Sequence, residues 1–246
     1  MKHLSLAALT MAAVLGTPAA ALDLSAMSAA DKAAFGEAVK TYLMENPGVL
    51  VEAINKLEER QQAAQADNDK VLVQSNAEDL FHFAGDWVGG NPEGDVTMVE
   101  FIDYKCTYCK KAYEVVEEVL KKDDKIRFVV KEFPILSEQS VLAARFAVAT
   151  RQVAGDAAYE KVHDALMAVR GDITLDSLQR LAEEQPIDAK AVLARMNTEE
   201  VTAVLRTNAQ LAERMAIAGT PAFVVGGQLL RGYAPAEVMA QIIADE

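Results

Sequence analysis

Cysteine is almost missing from this chain of 246 residues, which holds two, Cys106 and Cys109. So few cannot build the disulfide framework of a small secreted scaffold. Histidine is nearly as scarce, with only His3, His82 and His163. A structural zinc site needs about four ligands, and no second cysteine pair is there to complete one; no metal and no cofactor is expected. Positive charge is also short, 24 Lys and Arg against 37 Asp and Glu, for a net charge of −13. That balance excludes nucleic acid and anionic membrane as natural partners and otherwise serves solubility. The single tryptophan, Trp87, reads as a packing residue.

Long apolar runs are absent after the first 21 residues. Those residues have a basic start, Met1-Lys2-His3, an apolar core from Leu4 to Leu15, and the ending Thr17-Pro18-Ala19-Ala20-Ala21. This is the pattern of a secretory signal peptide cut after Ala21, with an apolar core too short to span a bilayer comfortably. The expected location is the periplasm, and no membrane span is expected in the mature protein. About 225 residues remain, enough for one large domain or a domain plus an appendage.

What is present is concentrated in Thr97 to Lys111, TMVEFIDYKCTYCKK. Thr97 to Tyr104 reads as a strand, followed by a helix that begins at or next to Cys106. A thiol at a helix N-terminus faces unpaired N–H groups and the positive end of the helix dipole, both of which favour thiolate. Cys106 is therefore the expected nucleophile, and Cys109, one turn on, is placed to resolve a mixed disulfide. Lys105, Lys110 and Lys111 are expected to push the same way. An inert structural disulfide is the competing reading, but a loop so short stabilises little.

Upstream, Ser28-Ala29-Ala30-Asp31 resembles a capping box, and Phe35, Val39 and Leu43 recur at helical spacing. Asn46-Pro47 is read as N-cap and first residue of a second helix, with Leu50, Ile54 and Leu57 on one face. Two such short helices cannot enclose a core. They either dock back on the rest of the chain or pack against copies of themselves. The polar stretch Gln61 to Asn76, read as a solvated helical spacer, favours copies.

Downstream, Leu80 to Val88 and Ile126 to Phe133 read as strands. Helices are expected over Asp156 to Val169, Thr174 to Glu184, Ala189 to Met196 and Thr198 to Ala218. The last is expected to start at a capping box with Asn197 and Glu200 and to end at Gly219. His82 and His163 read as a packed or surface residue and an exposed one. Ala222 to Val225, a Gly226-Gly227 turn and Gln228 to Arg231 form a hairpin, and Ala234 to Ile243 a closing helix.

From about Leu80 onward the chain resembles the DsbA family of thioredoxin-fold proteins. The residues carrying the likeness are Glu100, six positions before Cys106, the C-x-x-C itself, Lys131 to Ala149, and Thr220-Pro221. The resemblance implies an α/β thioredoxin fold with a helical insert at about 137–218, within a domain spanning 77–246. It implies a buried acid at Glu100 that shuttles the Cys109 proton, and a cis peptide at Thr220-Pro221 against the cysteines. It implies Thr220, Pro221 and Tyr108 as substrate-binding residues, with Tyr104 and Phe223 adding apolar contact. Tyr42 to Gln61 resembles the N-terminal oligomerisation region of ScsC-type relatives, which implies that residues 22–76 form a helical stalk of a homo-oligomer, a trimer favoured. Expected partners are cysteine-containing proteins and a membrane-bound thiol reductase. The expected activity is disulfide isomerase or reductase; dithiol oxidase and Cu(I)-binding protein are the alternatives, and Thr107, where many relatives have proline, leaves the potential open.

Overall fold

The computed structural model describes residues 27–245. The expected signal segment, 1–21, lies outside them. The chain divides into two compact units, one ending at Glu59 and one running from Arg60.

The first unit holds α1 (Ala29–Glu45) and the beginning of α2 (Gly48–Ser75). Ser28 caps α1, its hydroxyl oxygen accepting the Asp31 N–H at 3.2 Å and its proton going to the Asp31 carboxylate at 2.7 Å. Asn46 acts differently from the expected N-cap of α2. It closes α1, its amide donating to the Tyr42 carbonyl at 2.9 Å, and α2 begins at Gly48 after Pro47. Phe35, Val39, Tyr42, Leu50, Ile54 and Leu57 are all exposed, so among the described residues this unit buries no apolar face of its own.

In the second unit α2 continues to Ser75 and is followed by α3 (Ala77–Phe81), β1 (Trp87–Gly90), β2 (Val96–Ile102), α4 (Thr107–Lys122) and β3 (Ile126–Glu132). A helical block follows: α5 (Glu138–Ala154), α6 (Asp156–Ala168), α7 (Leu175–Glu183), α8 (Ala189–Arg195) and α9 (Glu199–Arg214). β4 (Ala222–Val225), β5 (Gln228–Arg231) and α10 (Ala236–Ala244) complete it. The sheet has the order β1-β3-β2-β4-β5, with β2 and β3 parallel and the other neighbours antiparallel. This is the thioredoxin fold with helices inserted between β3 and β4. Gly226 and Gly227, both with positive φ, form the two-residue turn between β4 and β5.

Alternation along β2 decides what faces the site. Met98 and Ile102 belong to the core cluster under α4, and Val99 and Phe101 to the cluster on the other face. Glu100 shares the parity of Met98 and Ile102 and is thus aimed at α4. α4 answers with the buried stripe Cys109, Ala112, Val116 and Val119.

Three segments differ from expectation. Leu80 to Val88 is not one strand: Asn76 leads into α3, which buries Leu80, and His82, its exposed C-cap, precedes a turn into β1. The helix expected to reach Ala218 stops at Arg214, with Thr198 rather than Asn197 in front of it. Ala216 takes the left-handed conformation there, and Ile217 N–H bonds the Ala212 carbonyl at 2.8 Å, so Gly219 plays no capping part. The polar spacer is helical, yet its end is not solvated. Asp69 and Val73 are buried, and Asp69 accepts two hydrogen bonds from Arg231, at 2.7 and 2.9 Å.

Behind the sheet, the Lys131 ammonium is wholly buried and pairs with Asp86 and the Asp79 carbonyl. A buried charge stripped of its partner is costly. Lys131→Met should therefore lower unfolding stability by about 3 kcal/mol, measured by denaturant midpoint. The double variant with Asp86→Leu should recover part of that loss.

Candidate active site

Cys106 occupies the N-cap position of α4 with extended backbone, φ −73° and ψ 117°. Its Sγ accepts the Cys109 N–H at 3.3 Å, so the helix end that lacks internal partners is satisfied by sulfur. The Cys106 thiol also faces the Thr220 carbonyl at 3.2 Å, and the Thr220-Pro221 peptide is cis. Both cysteines are free thiols. Cys106 retains 6% of its surface and Cys109 none, so an outside sulfur can reach only the first.

The Cys109 thiol against it, with the backbone N–H groups of Cys109 and Tyr108, holds the Cys106 thiol down to about 5, although burial pushes the other way. The Cys109 thiol is driven far above its ordinary range, first by its hydrogen bond with Cys106 and then by burial. One sulfur is thus a thiolate at neutral pH and its neighbour a thiol. None of the three lysines hydrogen-bonds either sulfur: Lys110 and Lys105 reach the carbonyls of Val169 and Gly171, and Lys111 lies over the Tyr233 ring.

Glu100 is 2% exposed, and its Oε1 has no hydrogen-bond partner. Burial and the charge of Cys106 hold its carboxyl well above the usual range. Tyr108 is 61% exposed and stands beside Cys106 on α4. Tyr104 and Phe223 are fully buried, so neither can touch a substrate as expected. Tyr104 instead donates to Glu132 Oε1 at 2.7 Å, as does Tyr159.

A family model described as the DSBA-like thioredoxin domain matches residues 97–244, from the central strand to the last helix. The chain belongs to the DSBA-like thioredoxin family. A second model, the Copper resistance protein ScsC N-terminal domain, matches residues 31–64. A thioredoxin-like oxidoreductase from Silicibacter pomeroyi is 38% identical, with a TM-score of 0.64 over 68% of this chain and 95% of that one. BcfH of Salmonella enterica Typhimurium is 33% identical, with a TM-score of 0.73 over 87% of this chain and 95% of that one. The chain is also 29% identical over 147 residues to Na(+)/H(+) antiporter NhaA 3 of Salinispora tropica, covering 60% of this chain but 22% of the antiporter. It thus spans less than a quarter of that curated relative.

Two features of this DSBA-like site escaped the sequence. Asp103, 1% exposed, accepts the Lys105 N–H at 2.8 Å and the Ile135 and Leu136 N–H groups at 2.9 and 3.0 Å, pinning the active-site loop to the segment after β3. Its place two residues before Lys105 is Asx-turn spacing, a signal that was available. His163, expected to be exposed, is buried, stacked near Trp87 with ring centroids 6.2 Å apart and 3.1 Å from the Tyr104 hydroxyl through Nδ1. Burial lowers it to about 4, so it is neutral.

The depressed Cys106 thiol links stability to pH. Between about 5 and the ordinary thiol range, the unfolded chain holds a proton on this sulfur that the folded one does not. The reduced protein should gain stability over Cys106→Ser as pH rises through that window and lose the advantage below about 5, which paired thermal melts would check.

Proposed function

We propose that the protein exchanges disulfides in exported cysteine-containing proteins, acting in the periplasm after removal of residues 1–21. The observation that carries this reading is the Cys106 sulfur at the N-cap of α4, accepting the Cys109 N–H and keeping 6% of its surface, set against the fully buried thiol of Cys109. Cys106 thiolate attacks a substrate disulfide to give a mixed disulfide, and Cys109 resolves it when the substrate does not rearrange first. Glu100 accepts the Cys109 proton. Thr220 and Pro221 offer backbone to an extended substrate strand, and Tyr108 gives it an apolar ring.

The reading extends to isomerase or reductase action by a homo-oligomer, a trimer favoured, kept reduced by a membrane-bound thiol reductase. The exposed apolar residues of α1 and α2, in the stretch matched by the ScsC N-terminal model, support assembly. A second reading, dithiol oxidase, is favoured by the Cys106 thiolate itself, since stabilising the reduced form makes the disulfide a stronger oxidant. Cu(I) binding is poorly supported, because Cys109 is wholly buried and firmly protonated, whereas a metal needs both sulfurs as accessible thiolates.

Placing Glu at Leu50, Ile54 and Leu57 together should turn the assembly into monomers by sedimentation. Refolding of a scrambled-disulfide substrate should then drop by about tenfold or more, the scale of lost multivalent engagement. Oxidation of a reduced peptide should persist. Unchanged isomerisation by a confirmed monomer would sink the assembly reading.

A further inference from the structure

Glu100 lines a cavity of about 100 Å³ that passes between α4 and α6, along Tyr113, Glu117 and His163, to Glu160 and Asp164. At the inner end Glu100 is 2% exposed, and its Oε1 is buried without a partner. Glu160 and Asp164 at the outer end are exposed, and the Tyr113 hydroxyl donates to Asp164 Oδ1 at 2.8 Å. The volume is several times what one water needs, and among apolar walls that include Val116, Leu120 and Phe128 the polar partners are Glu100, Tyr113, Glu117, Glu160, His163 and Asp164.

We infer that this cavity is the path by which the proton shed by Glu100 reaches solvent during exchange, with Asp164, positioned by Tyr113, receiving it at the mouth. The inference rests on the proposed role of Glu100 and adds what that role lacks, an exit from a buried carboxyl. In the reduced protein the Cys106 thiolate and burial together keep Glu100 protonated. When Cys106 attacks a substrate disulfide, a sulfur–sulfur bond to Cys106 forms, the substrate bond breaks and one substrate thiolate leaves. The charge holding the Glu100 proton is then gone. Glu100 gives that proton to cavity water, and Asp164, held at the mouth by the Tyr113 hydroxyl, takes it and passes it to bulk. The Glu100 carboxylate accepts the proton of Cys109 Sγ, and the new thiolate attacks Cys106. The Cys106–Cys109 bond forms, the mixed disulfide breaks and a second thiolate departs. One proton has been released and two electrons have passed to the substrate. His163, neutral on the wall, does not trap the proton as a fixed cation.

The test uses the full chain with Glu117→Gln, Glu160→Gln and Asp164→Asn combined, beside Glu100→Gln alone. Attack of Cys106 on glutathione disulfide and resolution of the mixed disulfide are followed separately by acid quench and mass spectrometry. The triple variant should attack at the parent rate but resolve about tenfold slower, within the range of a lost proton-transfer group, and added imidazole should restore it. Parent-rate resolution in the triple variant while Glu100→Gln is slow would overturn the path and leave the role of Glu100 standing. Slowing that imidazole does not relieve would also overturn it, as a structural effect. Parent-rate resolution in Glu100→Gln would remove the underlying reading itself.

Discussion

The contact between Cys106 Sγ and the first turn of α4 sets the properties of the whole site. A helix begins with N–H groups that have no internal partner, and here a sulfur at the N-cap takes one of them, from Cys109. Because the same turn carries the second thiol, the negative charge settles on the outer sulfur and the inner one keeps its proton. The rest of the fold places this turn. β2 delivers it at the middle of the sheet, Asp103 ties its loop to the end of β3, and the loop before β4 lays the Thr220 carbonyl against Cys106.

That arrangement makes Glu100 more than a core irregularity. A carboxyl on the strand beneath α4 is expensive to ionise, and the Cys106 charge raises the cost further. The two groups are therefore coupled: what happens at the outer sulfur changes how readily the buried acid gives up its proton. The helical insert enters this coupling through α6, which supplies His163 and Asp164 to the cavity that Glu100 lines. Sheet and insert share one more buried joint, where Tyr104 of the active-site loop and Tyr159 of α6 both donate to Glu132, whose carboxyl burial raises to about 8.

Much of this was legible in the letters. The strand-to-helix junction at Cys106 follows from an apolar alternating run ending at a helix start. The parity of Glu100 with Met98 and Ile102 follows from the period of a strand, and Gly226-Gly227 names its own turn. What could not be read came from tertiary context. Ala216 holds a left-handed helix end that Gly219 advertises more loudly, because the Ile217 N–H finds the Ala212 carbonyl first. His163 looks like any helix-surface histidine until α6 turns it against Trp87 and Tyr104. The lysines flanking the cysteines gave no sign that two of their ammonium groups would bond the backbone carbonyls of Val169 and Gly171, far along the chain. Asp69 sat in a polar stretch that looked solvated, yet its partner Arg231 lies at the far end of the chain, where no local pattern points to it.

The central claim is that the outer sulfur is ionised because of its position on α4. Ultraviolet absorbance of the thiolate, titrated in the fully reduced protein with Cys106→Ser as blank, tests it most directly. A single transition near pH 5 is the result that follows from this structure. A transition in the ordinary free-thiol range, with no absorbance change at acid pH, would contradict it.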